Sequence, residues 1–177
     1  EDHPYVNRLL PRLWEMIRKT PYIHWLLCTK RAERIAENLP PDWYDYENGY
    51  PNVWLGVSIE MAKYAYRFNE HLAKIPAVCR FVSFEPALEP IHHALDYEKL
   101  DWCIVGGESG DDDKRRFFDP QWARDIQSQC EANDVKFFYK QDSAYRSSTN
   151  PYLDGEKHYN FPMPKPSALP LAVDFQK

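Results

Sequence analysis

Glycine is scarce in this chain: 6 residues in 177, against 15 prolines. Most chain reversals must therefore be set by the fixed φ of proline rather than by the freedom of glycine. A basic excess is lacking too. With 22 Lys and Arg against 27 Asp and Glu, the net charge is −5, which argues against a protein-wide footprint for duplex nucleic acid and leaves room only for a local basic groove. No apolar run approaches the ~20 residues that cross a bilayer. The opening residues Glu1-Asp2-His3-Pro4 do not look like a signal peptide and lack an initiating Met. The expectation is a soluble, cytoplasmic chain without membrane partners, cut from something longer. The four cysteines, Cys28, Cys79, Cys103 and Cys130, show no CxxC or CxxxCxxC spacing. Neither a zinc ribbon nor a cluster motif can be read from them, and reduced structural thiols are expected.

What the chain does have is ordinary globular content: 44% hydrophobic and 28% charged residues, which excludes wholesale disorder. Five short apolar runs recur, at 23–28, 53–57, 80–84, 102–105 and 135–139. Their length, β-branched and aromatic enrichment and near-continuous apolarity fit strands covered on both faces, as in parallel sheets. Helical patterns lie between them. Leu13, Trp14, Ile17 and Arg18 follow Pro11, expected in a first turn. A second pattern runs over 31–39, and a third over 61–75 with Ala65, Phe68, Leu72 and Ile75 on one stripe. Asp119-Pro120 then opens a helix through Trp122, Ile126 and Cys130, while 88–100 holds only a short helix or turn. Alternating strands and helices imply βαβ units. The fold class is α/β: a partial (β/α) TIM-like barrel or an open parallel sheet of about five units, since a full barrel needs about 250 residues. This domain is expected over 1–145. The segment 146–177, with Pro151, Pro162, Pro164, Pro166 and Pro170, reads as an extended tail packed on it.

In parallel α/β folds, ligands bind at the carboxyl ends of the strands. Each of the five runs closes in polar groups: Thr29, Lys30 and Arg31; Ser58 and Glu60; Ser83 and Glu85; Glu108 and Ser109; Lys140 and Gln141. Gathered on one rim, three carboxylates and three cations can position a polar or phosphorylated ligand and move protons. Gly106 and Gly107, directly after the fourth run, let a ligand or another backbone come close. The sequence there is neither GxGxxG nor a Walker loop. Asp111-Asp112-Asp113, followed by Lys114-Arg115-Arg116, reads as a solvated loop rather than a hard-cation site. His92-His93 with Asp96 lacks a third ligand at fixed spacing. Tyr64, Tyr66 and Arg67 fit ordinary helical packing better than base stacking.

The ordered segments 27–35, 51–60, 80–86, 101–110 and 137–141, with 119–124 and 153–155 after them, resemble the phage gp-thirty-seven/gp-sixty-eight family, a domain of unknown function. The resemblance covers nearly the whole chain. It departs at Asp142-Ser143, where members have Trp-Gly, at Met61, where Asn is common, and in the lengthened loop after Gly110. Members carry an upstream three-cysteine motif similar to that of radical S-adenosylmethionine enzymes. The resemblance therefore implies a radical-S-adenosylmethionine-like enzyme, or its barrel remnant, with a [4Fe-4S] cluster and S-adenosylmethionine in the full-length protein. No cofactor or metal ligand is assigned to this chain itself.

On that picture Glu85, Glu108 and Lys140 are the candidate catalytic residues. Thr29, Lys30, Arg31, Ser58, Glu60, Ser83, Gly106, Gly107, Ser109 and Gln141 are the candidate ligand-binding residues. Lys30 and Arg31 would pair with anionic groups as charge-assisted donors. The ligand expected is a small or nucleotide-like molecule. The alternative is a non-catalytic, phage-associated protein that binds a nucleotide, a nucleic acid or a host protein. An exposed sheet edge would call for a homodimer or for a missing N-terminal segment.

Overall fold

A computed structural model describes residues 4–111, 114–146 and 150–167. Helix α1 (Pro4–Lys19) leads into strand β1 (Trp25–Thr29), followed by a 3₁₀ turn and the short helix α2 (Ile35–Asn38). Strands β2 (Val53–Ser58), β3 (Arg80–Phe84), β4 (Trp102–Gly106) and β5 (Lys136–Gln141) come next, with helix α3 (Pro120–Ala132) between the last two. They form one five-stranded sheet in the order β1-β2-β3-β4-β5, every neighbouring pair parallel. Sequential order in a parallel sheet requires each connection to cross over, and crossovers of one hand place their helices on one face.

Strand alternation sorts the side chains accordingly. Val53, Leu55 and Val57 of β2 join Val82, Phe84, Cys103, Val105, Phe137 and Tyr139 in the main core, with Trp14, Ile17, Phe68, Leu72, Ile126 and Cys130 from the covering segments. The opposite face carries a smaller cluster of Trp54, Phe81 and Trp102, joined by Val78 and Cys79, with Ile104 and Phe138 against it. Gly56 makes this floor possible. A Cβ there would lie 2.2 Å from the Phe81 ring, so its absence lets that ring lie over β2.

Three local features differ from the sequence reading. Pro11 lies inside α1, not in its first turn; burial of Trp14 and Ile17 holds a helix that lacks one backbone donor there. The 31–39 pattern is a 3₁₀ turn joined to α2. The 61–75 pattern is three short pieces: a 3₁₀ turn at Ala62–Tyr64, a π-helical turn at Arg67–His71 and a 3₁₀ turn at Leu72–Lys74. Its stripe of Ala65, Phe68, Leu72 and Ile75 is nonetheless buried. The α3 cap is as read: the Asp119 side chain accepts from Gln121 N, with Pro120 in the first turn.

After β5 the chain turns back. Tyr139 N donates to His158 O at 2.8 Å and Asn160 N to Phe137 O at 3.2 Å, so residues 158–160 run antiparallel along the free side of β5. Tyr159 stacks on Phe138, and Phe161 packs on Trp102 and Phe138. The strap then passes the amino ends of the strands, where Lys165 N donates to Val78 O and the Lys165 ammonium pairs with Asp101 at 2.7 Å. It reaches the loop before β2, with Asn48 donating to Pro166 O and Ser167 to Gly49 O.

Candidate functional site at the carboxyl ends of the strands

Two ion-pair groups stand at the carboxyl rim. In the first, Lys140 Nζ lies 3.0 Å from Glu85 Oε1, and Ser83 Oγ donates to Glu85 Oε2 at 3.0 Å. Ser58 Oγ donates to the Glu85 carbonyl at 3.3 Å. Alternation puts Ser58, Ser83 and Lys140 on the face of Trp54, Phe81 and Phe138, opposite the main core. Gly106 supplies the room: a Cβ there would sit 2.8 Å from Glu85 Oε1. The Glu85–Pro86 peptide bond is cis.

The second group centres on Glu60, buried just past β2. The Lys30 ammonium pairs with its Oε1, and Arg67 Nη1 lies 3.0 Å from its Oε2. The same Arg67 nitrogen donates to Ser58 O at 2.7 Å, while its guanidinium stacks over the Tyr64 ring at 4.1 Å. A buried charge requires such partners. Cys28, on the Leu26 face of β1, lies within electrostatic reach of both groups. Although the residue is exposed, enough protein surrounds its sulfur for desolvation to push the thiol up to about 11; Glu85 adds to the rise and Lys30 opposes it.

The loop after β4 bounds the rim. Gly107 N donates to Gln141 O at 3.0 Å, and Gln141 Nε2 donates to Gly107 O at 3.0 Å. Gln141 is buried on the main-core face of β5; it braces the glycine turn and does not face the cleft. Gly107 permits a close backbone crossing, since a Cβ there would meet Ser143 N at 2.5 Å. Glu108 takes both Arg116 Nη2 (2.5 Å) and Nε (2.9 Å), together with the Arg116 amide. This bidentate partner pushes the Glu108 carboxyl down to about 2. Ser109 is exposed and bridges to Ala144. Thr29 Oγ1 accepts from the Arg31 amide at 3.0 Å, and both residues line a different feature. That feature is an apolar groove of about 490 Å³ between α1, β1 and α2, with Leu10, Leu13, Leu27 and Ile35 in its walls.

Of the sequence-derived candidates, then, Lys30, Ser58, Glu60, Ser83, Glu85, Gly106 and Lys140 meet in direct contacts. Glu108 pairs with the next loop, and Thr29 and Arg31 turn toward the groove. The Arg67 and Arg116 contacts were missed. In sequence, Arg67 fits packing with Tyr64 and Tyr66, and its one signal is a cation next to Phe68 of the apolar stripe. Of the acidic run read as a solvated loop, Asp111 is exposed, and Asp112 and Asp113 lie outside the described residues. His92 Nδ1 stands 3.6 Å from Asp125, on α3, rather than from Asp96.

Among the described residues no group of three His, Cys, Asp or Glu side chains could hold a metal ion. Cys103 and Cys130 are buried in the main core, Cys79 in the opposite cluster, and Cys28 lies at the rim. These residues do not fit an iron–sulfur cluster.

Comparison with curated proteins gives no match, and comparison with solved structures gives none either. A family model described as a protein of unknown function matches residues 3–162. With nearly the whole chain covered, the chain belongs to that family, DUF5131.

Proposed function

We propose that the chain supplies the ligand-binding rim of an enzyme, and that the rim takes a small polar or nucleotide-like molecule at the carboxyl ends of the parallel strands. The observation carrying this reading is the Ser83–Glu85–Lys140 group beside the Lys30–Glu60–Arg67 group. Their carboxylates and cations come from the carboxyl ends of four of the five strands and the connection after β2, where α/β folds bind ligands. Lys140 and Lys30 donate to the ligand. Glu85, oriented by the Ser83 hydroxyl and the Lys140 ammonium, is the group that moves a proton. Glu60, with a cation on each oxygen, orients Lys30.

The finer form of the proposal is the radical-S-adenosylmethionine-like enzyme of the phage gp-thirty-seven/gp-sixty-eight type, supported by the ordered motifs. In that form S-adenosylmethionine occupies the rim, and any cluster is held by residues other than those described. The alternative, a phage-associated binding protein without catalysis, is favoured by the misfit between the four cysteines and a cluster.

The test is calorimetric titration of the natural full-length protein, purified without oxygen, with S-adenosylmethionine and with ATP. Glu85→Gln and Lys140→Met are each expected to weaken binding about tenfold. Unchanged affinity in both variants would remove the rim assignment. Iron and sulfide in stoichiometric amount would favour the radical enzyme, and a metal-free folded protein the binder.

A further inference from the structure

Each rim carboxylate has a cation of its own: Lys140 for Glu85, Arg116 for Glu108 and Lys30 for Glu60. Arg67 is an additional cation, placed on a carboxylate that already has one. Its residue is 8% exposed, and burying an extra guanidinium is costly unless something uses its charge. Its Nε–H has no hydrogen-bond partner. Nor is its position incidental, since it opens the π-helical turn Arg67–His71, an irregularity found frequently at functional sites. The turn holds the guanidinium between the Tyr64 ring, Glu60 and Ser58 O. The partner it shares Glu60 with is accessible: the Lys30 side chain is 57% exposed, and an ammonium has three donors. Arg116, also exposed, lies near enough for its guanidinium to feel Glu60.

We infer that the ligand of this rim carries an oxyanion, a carboxylate or a phosphate, that binds at Lys30, and that Arg67 is the positioning residue whose charge makes the subsite attractive to it. This inference rests on the rim being a ligand site. With Arg67 in place, the Glu60 carboxylate is offset from beneath, and the Lys30 ammonium presents positive charge outward. Without it, Lys30 and Glu60 neutralise one another and the oxyanion meets no net attraction.

The experiment compares two probe pairs by calorimetry on the full-length protein: ATP against adenosine, and S-adenosylmethionine against decarboxylated S-adenosylmethionine. The first pair reads a phosphate ligand, the second a carboxylate. One oxyanion-bearing probe is expected to bind about tenfold or more tightly than its counterpart. Arg67→Met is expected to weaken that probe about tenfold, and Arg67→Lys to restore most of the loss. Glu60→Gln is expected to tighten it, because it removes the competing negative charge. A purely structural Arg67 would instead make the Arg67→Met and Glu60→Gln effects fall in the same direction, which overturns the inference. Thermal melts guard against misfolding; if Arg67→Met does not fold, Glu60→Gln decides alone, tighter binding of the oxyanion probe supporting the inference and weaker or unchanged binding overturning it. Equal binding within both pairs, abolished by Glu85→Gln, would overturn the oxyanion subsite while sparing the rim. Absence of binding by all four probes at about 1 mM would overturn both.

Discussion

Lys140 Nζ stands 3.0 Å from Glu85 Oε1, so that the ends of β5 and β3 are tied together across the end of β4. The tie exists because β4 ends in glycine: any side chain at Gly106 would occupy the space of the Glu85 carboxylate. With Glu85 only 18% exposed and also accepting from Ser83, the pair should count for more than an ordinary surface ion pair. A double-mutant cycle of Glu85→Gln and Lys140→Met, read by urea unfolding, is expected to give a coupling of about 1 kcal/mol. Strict additivity would mean that the contact is not formed in solution.

The two adjacent glycines should respond differently to the same methyl group. At Gly106 the clash is with the far end of a flexible side chain, so Gly106→Ala is expected to fold with a loss of about 1 kcal/mol while displacing Glu85. At Gly107 the clash is with backbone, Ser143 N at 2.5 Å and Asp142 C at 2.9 Å. Gly107→Ala is therefore expected to cost about 3 kcal/mol, near the upper end for overpacking. Paired denaturation curves check the order, and equal costs would contradict this packing.

The clasp between Glu108 and Arg116 should be sensitive to acid. Its folded carboxyl titrates at about 2, below the ordinary 4.5. A depressed carboxyl stabilises fully above its unfolded value and loses that contribution as pH falls through the folded one. Hydrogen exchange at the Arg116 amide, which donates to Glu108 at 2.9 Å, should therefore rise relative to intrinsic rates as pH drops from about 4.5 toward about 2. In Glu108→Gln that extra acid step should vanish.

Asn52 illustrates a motif residue whose work is structural. Buried before β2, its side-chain amide donates to the carbonyls of Ile17 (3.0 Å) and Thr20 (3.1 Å), where α1 ends. The Ile17 carbonyl lies in the last turn of α1, where carbonyls have no intrahelical partner, and the Thr20 carbonyl lies just past it. Asn52→Ala is expected to lower stability by about 2 kcal/mol, measured by chemical denaturation, without changing probe affinity at the rim.

The strands were legible because burial on both faces writes a continuous apolar run, as in 80–84 and 102–105. The rim residues were legible because each follows such a run directly. The path between Glu60 and Ile75 was not. Hydrophobic spacing reports which residues are buried, and Ala65, Phe68, Leu72 and Ile75 are buried. It does not distinguish one regular helix from 3₁₀ and π turns that bury the same stripe. The Arg67–Glu60 contact depends on that difference, and so escaped the sequence. The orientation of Gln141 follows from a simpler rule: strand alternation puts it on the face opposite Lys140.

The strap that runs from β5 back to the loop before β2 makes contacts spanning 118 residues, from Asn48 to Pro166 and from Gly49 to Ser167. Closing so long a loop is entropically slow, and contacts of large sequence separation retard folding. During synthesis Asn48 and Gly49 must wait until the chain past residue 166 has emerged. The sheet can therefore assemble strand by strand before its underside is fastened, and this fastening is expected to be a late event on the folding path.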